Sequence, residues 1–195
     1  MKEYLAVTET INWQHPKILQ VAKELSQNKN NTEDIAKACF EWVRDNIFHS
    51  SDYKKNPVTG TASEVLEHKT GYCYAKSHLL AALLRANSIP AGFCYQRLSV
   101  FDDGAPYSLH GFNAVYLPNY GWYRVDARGN KQGINAQFNP SKEQLAFSIK
   151  FPEEIDGKII FSEPLPIIIE ALRTYKEWDK LLQNLPDIDP NILPI

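Results

Sequence analysis

The chain has 195 residues, of which 44% are hydrophobic and 12% aromatic, enough to close the core of one domain over residues 1–195. Its 21 Lys and Arg against 23 Asp and Glu give a formal charge of -2, without the basic excess that binding to nucleic acid needs. The sequence shows neither a signal peptide nor the roughly 18 uninterrupted apolar residues of a membrane span, so we expect a cytoplasmic protein without a membrane partner.

The first part of the chain is predicted to form two helices. A run that begins at Pro16 carries apolar residues at helical spacing, and Asn31 with Asp34 has the pattern of a capped start for a second run. Cys39 lies on the apolar face of that second run. Because a free cysteine behaves as a small apolar group, Cys39 is predicted to be a core residue.

A stronger helix is predicted further along the chain. Residues 49–61 contain Asn-Pro and Thr-Gly pairs and are predicted to be loop, after which Ser63 is expected to cap a short helix. The Leu-rich run from Cys73 to Ala86 then predicts a long helix, which Asn87 and the residues after it end. This helix would begin at a cysteine.

Strand-like segments with turn residues between them follow the helices. They cover residues 93–100, 111–117 and 122–126. We also expect a small hairpin around Asp156 and Gly157, a helix over residues 165–182 and a tail along the surface over residues 186–195. This order predicts an α+β fold, in which the Cys73 helix packs on an antiparallel sheet and further helices lie at both ends of the chain.

Cys73 is the best placed of the three cysteines for chemistry. Unpaired N–H groups and the positive dipole end in the first turn of a helix favour the thiolate, and the same N–H groups can stabilise an oxyanion. Cys94 alternates with aromatic residues in a predicted strand and is expected to pack in the core. The cysteines have no Cys-x-x-Cys spacing, so we expect neither a disulfide framework nor a metal site.

Acyl chemistry at a thiol also needs a base, and the base needs a group that orients it. His110 is predicted to begin one strand and Asp126 to end the next, with a turn between them. Their side chains share a face only if paired residue numbers add to an even total, as when Leu117 pairs with Gly121. Taken alone, Cys73 could be a core residue, His110 could make a hydrogen bond at a strand edge, and Asp126 could cap a turn. Their joint placement predicts a Cys–His–Asp triad.

Five separated blocks resemble the transglutaminase-like superfamily, in the family's order and at compatible spacing over about residues 35–130. They are residues 62–66, 71–75, 83–91, 110–117 and 121–126. The resemblance implies a papain-like core with thiol acyl-transfer chemistry and no cofactor, in which Cys73 is the nucleophile, His110 the general base and Asp126 the orienting acid. Residues 127–130 differ from the Pro-Thr or similar pair that many members carry after the aspartate, which implies a different local loop.

Five further residues are candidates for substrate binding or for the oxyanion. His49 and Asp52 could line the cleft or donate to the oxyanion, although a solvated loop is the simpler interpretation. Gln96 could offer an amide donor or be an outward strand residue. Tyr72 and Tyr74 flank the cysteine and could form walls that exclude water, or belong to the core.

These residues predict an enzyme that acts on an amide, either a peptide bond or a side-chain carboxamide, through a thioester on Cys73. A peptide or protein is therefore the expected substrate. Water as acceptor gives protease or amidase activity and an amine gives cross-linking, and we favour hydrolysis because no second domain is evident to bring an amine. The alternatives are a binding module that keeps the fold without catalysis and a glycan-releasing amidase of the superfamily.

Overall fold

A computed structural model of the protein describes residues 1–190 and has the predicted α+β architecture. Its helices are a 3-10 helix at Lys2–Leu5, α1 at Pro16–Ser26, α2 at Thr32–Asn46, α3 at Ser50–Tyr53, α4 at Ala62–His68, α5 at Cys73–Ala86, α6 at Pro166–Thr174 and α7 at Trp178–Leu182. Its strands are β1 at Phe48–His49, β2 at Thr70–Gly71, β3 at Ala91–Ser99, β4 at Tyr107–Leu117, β5 at Gly121–Val125 and β6 at Ile155–Asp156. None of the helices within residues 1–190 is long and apolar enough to cross a bilayer.

Capping side chains fix the starts of α2 and α4. The Asn31 side chain accepts a hydrogen bond from the backbone N–H of Asp34 at 2.8 Å, as the sequence predicts. At α4 the cap is Thr61, and the predicted cap Ser63 was wrong. Thr61 Oγ1 accepts from the Glu64 N–H at 3.3 Å, and the Glu64 carboxylate accepts from the Thr61 N–H at 2.9 Å. This reciprocal pair satisfies two N–H groups at once, which favours a start at Thr61.

The helix α5 is the centre of the fold and has the predicted bounds. Every residue from Cys73 to Arg85 is buried, so this helix has no solvent face. It packs against α1, α2 and α4 on one side and against β3 and β4 on the other. Because it is enclosed by its neighbours, the residue at its N-terminus is held at a fixed place relative to the sheet.

Four strands within the described residues form an antiparallel sheet in the order β5-β4-β3-β6. The predicted hairpin register is confirmed, because Leu117 pairs with Gly121 and Asn113 pairs with Val125. The strand β4 begins at Tyr107, so the prediction that His110 begins a strand was wrong. The residues of β4 that precede His110 pair with the end of β3 across the loop that joins the two strands, and this pairing extends β4 beyond its local pattern.

Part of the predicted loop over residues 49–61 has regular structure. The strand β1 pairs in parallel with β2, and the single turn α3 follows it directly. In this pairing Phe48 lies opposite Thr70 and His49 lies opposite Gly71. Because the two strands are far apart in sequence and only two residues long, neither has a pattern of its own that indicates a strand.

Two elements of the C-terminal part also differ from the prediction. The turn around Gly157 does not close a hairpin; Ile155 and Asp156 pair instead with β3. The predicted helix over residues 165–182 is divided into α6 and α7, because Tyr175 takes an extended conformation with φ -92° and ψ 134°. After this break the Asn56 side chain accepts a hydrogen bond from the Trp178 N–H at 2.7 Å.

The predicted tail over residues 186–195 is described as far as residue 190, and residues 191–195 lie outside the described residues. Pro186 is buried, and its carbonyl accepts a hydrogen bond from the Leu109 N–H at 2.8 Å. Asp187 accepts two bonds from the Arg97 guanidinium, each 2.7 Å long. The start of the tail is therefore docked against β3 and β4.

Candidate active site

A cavity of about 520 Å³ opens beside the N-terminus of α5. Its walls come from the start of α5, from β4, from the loop after β5 and from residues at and after the end of α7. Its lining includes His49, Tyr72, Cys73, His110, Arg128 and Phe147. Elements that are distant in sequence thus bring a thiol and two imidazoles to one space.

Cys73 is the first residue of α5 and is 8% exposed, at the wall of this cavity. The preceding Tyr72 makes no side-chain cap, so the N–H groups of the first turn have no capping partner there. Before it, Gly71 lies in close contact, since an added Cβ would be 3.1 Å from Ala75 Cβ and 3.3 Å from Thr59 Oγ1. The sequence Gly-Tyr-Cys therefore sets the approach of β2 to the helix and the position of the sulfur.

His110 and Asp126 meet across the hairpin of β4 and β5. His110 Nε2 lies 2.7 Å from Asp126 Oδ2, and both side chains are buried. Asp126 follows the last residue of β5, at the position where the observed register turns its side chain toward His110. Because Nε2 faces the carboxylate, Nδ1 is the ring nitrogen that remains for a partner in the cavity.

The Asp126 carboxylate is held by backbone donors as well as by the imidazole. Its Oδ1 accepts from the Arg128 N–H at 3.0 Å, and its Oδ2 accepts from the Ala146 N–H at 3.2 Å. Burial raises the pKa of Asp126, but the His110 charge and these bonds outweigh it and lower the pKa. The carboxylate is therefore ionised at neutral pH.

The charge on His110 is set by the same neighbours. Burial lowers its pKa, but the Asp126 carboxylate and the charge on Cys73 raise the pKa of His110 to about 10. The ring stacks on Phe112, with centroids 5.8 Å apart, and Phe147 meets it edge-on at 4.9 Å. These rings exclude water from a buried imidazolium–carboxylate pair.

This pair makes the stability of the fold depend on pH. Since the pKa of His110 rises from 6.5 in the unfolded chain to about 10 in the fold, its contribution is complete below pH 6.5 and is lost as pH rises through 10. We expect the free energy of unfolding in urea to fall between pH 6.5 and 10 more steeply for the wild type than for His110→Gln. Parallel pH dependences in the two proteins would contradict the charged pair.

Comparison with known proteins identifies the family. The profile of the transglutaminase-like superfamily matches residues 19–127, which is more than half of the chain. The protein belongs to the transglutaminase-like superfamily. The matched range runs from α1 past the end of β5 and includes Cys73, His110 and Asp126.

One solved structure shares the fold of this superfamily member, and a second gives a lower similarity score. The structure of a proposed cysteine protease from Cytophaga hutchinsonii superposes with a TM-score of 0.51 at 21% identity, covering 64% of this chain and 40% of the other. For the periplasmic domain of TgpA from Pseudomonas aeruginosa the TM-score is 0.47 at 23% identity, covering 64% of this chain and 45% of the other. The first likeness shows the fold alone, and the chain spans two fifths of that relative's length. No curated protein sequence matches the chain.

The other two thiols of this superfamily member lie in the core, as predicted. Cys39 and Cys94 are 0% and 1% exposed. Burial raises the pKa of each thiol to about 12. Both are therefore protonated at neutral pH, whereas Cys73 lines the cavity.

The two tyrosines that flank Cys73 form walls of the cavity, and their hydroxyl groups are already bonded. Tyr72 is 3% exposed, and its hydroxyl donates to the Trp178 carbonyl at 2.5 Å. Tyr74 is 1% exposed and donates to the Leu109 carbonyl. These bonds connect α5 to α7 and to β4. Because both hydroxyl groups already donate to carbonyls, the two tyrosines form walls of the cavity and do not offer free donors to a ligand.

Gln96 pairs directly with His110 in the sheet, but its amide turns toward a neighbouring cavity. Its Nε2 donates to Asp156 Oδ1 at 3.2 Å and lies 3.5 Å from the Phe147 carbonyl. This second cavity is separated from Cys73 by the segment that carries Phe147. The structure therefore does not bring the Gln96 amide to the thiol.

His49 is the last residue of β1 and Asp52 lies in α3, but of the two only His49 lines the cavity of Cys73. Asp52 accepts from both guanidinium nitrogens of Arg128, at 2.7 and 3.1 Å, and from Lys131 Nζ at 2.7 Å. Its carboxylate is thus saturated by cations, and these lower its pKa against the opposing effect of burial. Asp52 anchors the loop that follows Asp126.

Sequence reasoning missed the segment around Phe147. The Ala146 N–H bonds Asp126, and Phe147 covers the His110 ring. This segment has no regular secondary structure and no catalytic residue type, so its sequence shows no pattern that places it at the site.

Proposed function

We propose that the protein hydrolyses or transfers the acyl group of an amide, a peptide bond or a side-chain carboxamide, through a thioester on Cys73. The observation that carries the proposal is the 2.7 Å contact between His110 Nε2 and Asp126 Oδ2 at the cavity that Cys73 lines. The contact fixes the ring so that Nδ1 is left for the thiol. A nucleophile, a base and a group that orients the base are the minimum for such chemistry.

Acylation uses each of the three groups once. The Cys73 thiolate attacks the carbonyl carbon, a C–S bond forms, and the π electron pair moves to the oxygen. When the intermediate collapses, the C–N bond breaks and the leaving nitrogen takes a proton from His110 Nδ1. Asp126 stabilises the imidazolium until that proton is given up, as its ionised state supports.

Deacylation reverses these roles. Water or an amine gives a proton to His110 and attacks the thioester carbonyl, after which the C–S bond breaks and the thiolate is released. We favour water as the acceptor, because the cavity of Cys73 is open to solvent. The product is then a carboxylic acid.

The cavity supports a peptide or protein as the substrate. Leu98, Leu109, Leu182 and Leu185 line it as apolar surfaces, and Arg128 and Lys131 add two cationic side chains to the lining. A volume of about 520 Å³ has the size of a ligand pocket, and the mixed lining suits an acyl chain with polar ends.

The proposal is tested with p-nitrophenyl acetate as an acyl donor and glycinamide as an amine acceptor. We expect a burst of p-nitrophenol of one equivalent per protein, followed by slower turnover, because the activated ester acylates Cys73 faster than the thioester breaks down. Acetate as the main product with glycinamide present supports hydrolysis, and acetylglycinamide supports transfer. The absence of both burst and turnover would instead support a binding module on this fold.

A further inference from the structure

The backbone at His49 is fixed beside the nucleophile. In the parallel pairing of β1 with β2, His49 lies opposite Gly71, two residues before Cys73. The Phe48 N–H donates to the Lys69 carbonyl at 2.9 Å, and buried Lys76 donates to the Ile47 carbonyl. These bonds join the residues before His49 to β2 and to α5, so a shift of the strand relative to the thiol is resisted.

The side chain of His49 lies at the wall of the Cys73 cavity. It is 6% exposed, and its ring meets the Tyr72 ring edge-on with centroids 5.5 Å apart. Its Nδ1 lies 3.1 Å from Ser51 Oγ, while its Nε2 has no hydrogen-bond partner among residues 1–190. Unlike the unbonded Nε2 of His78, this Nε2 is not fully buried, so it is the ring nitrogen of His49 that a ligand can reach.

His49 is a neutral imidazole at physiological pH. Burial and the Arg128 guanidinium lower its pKa well below 6.5, and the nearby charge on His110 acts in the same direction. Asp52 opposes this shift, but its carboxylate already binds Arg128 and Lys131. When the Ser51 hydroxyl donates to Nδ1, the hydrogen of the neutral ring lies on Nε2.

We propose that His49 is a further catalytic residue, whose Nε2–H donates a hydrogen bond to the substrate oxygen when Cys73 attacks the carbonyl. This assignment rests on the proposed function, because it concerns the same acylation step. Backbone N–H groups in the first turn of α5 supply a second donor to that oxygen. The neutral ring donates without giving up its proton, so it does not compete with His110 as the acid.

The charge balance of the step shows where this donor acts. As the C–S bond forms, the carbonyl π pair becomes a full charge on oxygen, and collapse returns that pair to the carbonyl as the leaving group departs. The His49 proton stays on Nε2 throughout. A donor already in place stabilises the charged state more than the neutral carbonyl, and loss of one such donor lowers the rate by about 10²–10³.

A purely structural role for His49 predicts a different outcome. If the ring only packs on Tyr72, its replacement changes every reaction of the Cys73 thiolate to a similar extent. Alkylation by iodoacetamide is a displacement at carbon and develops no oxyanion, whereas acylation by p-nitrophenyl acetate does. The ratio of these two rates therefore separates the roles.

The experiment compares His49→Leu, which removes the donor, with His49→Gln, which keeps an N–H at similar reach. We expect His49→Leu to lower the acylation rate of Cys73 by about 10²-fold or more and to leave alkylation within about threefold of the wild type. His49→Gln should recover at least about a tenth of the wild-type acylation rate, because the amide restores a donor. The surface variant His68→Leu is the control, and thermal melting checks the fold.

Equal losses of acylation and alkylation in His49→Leu would overturn the assignment, and so would acylation that stays near the wild-type rate. A wild-type protein that is alkylated at Cys73 but never acylated would overturn the proposed function, and the assignment of His49 with it. Wild-type acylation together with unaffected His49 variants would overturn the assignment alone. Each result is read from the same two rates.

Discussion

Replacing Cys73 by alanine is expected to abolish the p-nitrophenol burst completely, the largest effect that any single substitution should have on this protein. The substitution removes the atom that forms the thioester, and neither Cys39 nor Cys94 can replace it because both are buried with raised pKa values. Alanine is a good helix former at the first position of α5, so we expect little change in the melting temperature. Stopped-flow absorbance and thermal melting measure the two quantities.

Cys94→Ala is the matched control for Cys73→Ala. Cys94 packs with Phe112 and Ala114, so its truncation should lower the melting temperature while the burst persists. Together the two variants separate loss of a reactive atom from loss of packing. A full burst in Cys73→Ala would show that another residue is acylated, and the assignment of the nucleophile would then be wrong.

The second large effect is expected for Asp126→Asn, which should lower the acylation rate by about 10²–10⁴. An amide that donates to His110 Nε2 moves the ring hydrogen to Nδ1, where it can no longer accept the thiol proton. The amide also cannot stabilise an imidazolium. If Asp126 only held the turn through its bond to the Arg128 N–H, asparagine would keep that acceptor and most of the activity.

Asp103→Asn is the control for this change, since Asp103 is exposed on the loop between β3 and β4. Its rate should equal that of the wild type. For Asp126→Asn we also expect a modest loss of stability, because an amide nitrogen cannot accept from the Ala146 N–H. An acylation rate within about twofold of the wild type, far below the loss typical of acid–base assistance, would leave a Cys–His pair without a third member.

The sequence predicted the parts of the site that depend on local residue patterns and on the alternation of side chains between the two faces of a strand. The Leu-rich run set the bounds of α5 and placed Cys73 at its start. Strand alternation with a turn before Gly121 predicted that His110 and Asp126 share a face, and their 2.7 Å contact agrees with it. The side-chain period of two residues leaves little freedom once the register is known.

The remainder of the site depends on contacts between distant segments. The pairing of β1 with β2 places His49 near Cys73, and a pair of two-residue strands has no periodicity to detect. Asp52 meets Arg128 across 76 residues of sequence, and Ala146 approaches Asp126 from a segment without regular structure. Such contacts follow from the packed fold, which single-residue preferences do not encode.

The central claim is that the acyl group resides on Cys73, and locating that group is its most direct test. The wild-type protein is mixed with p-nitrophenyl acetate, quenched in acid during the burst, digested, and analysed by mass spectrometry. We predict one acetyl group on the peptide that contains Cys73, sensitive to hydroxylamine as a thioester is, and none on the peptides with Cys39 or Cys94. An acetyl group found only on a lysine or on another cysteine would contradict the claim.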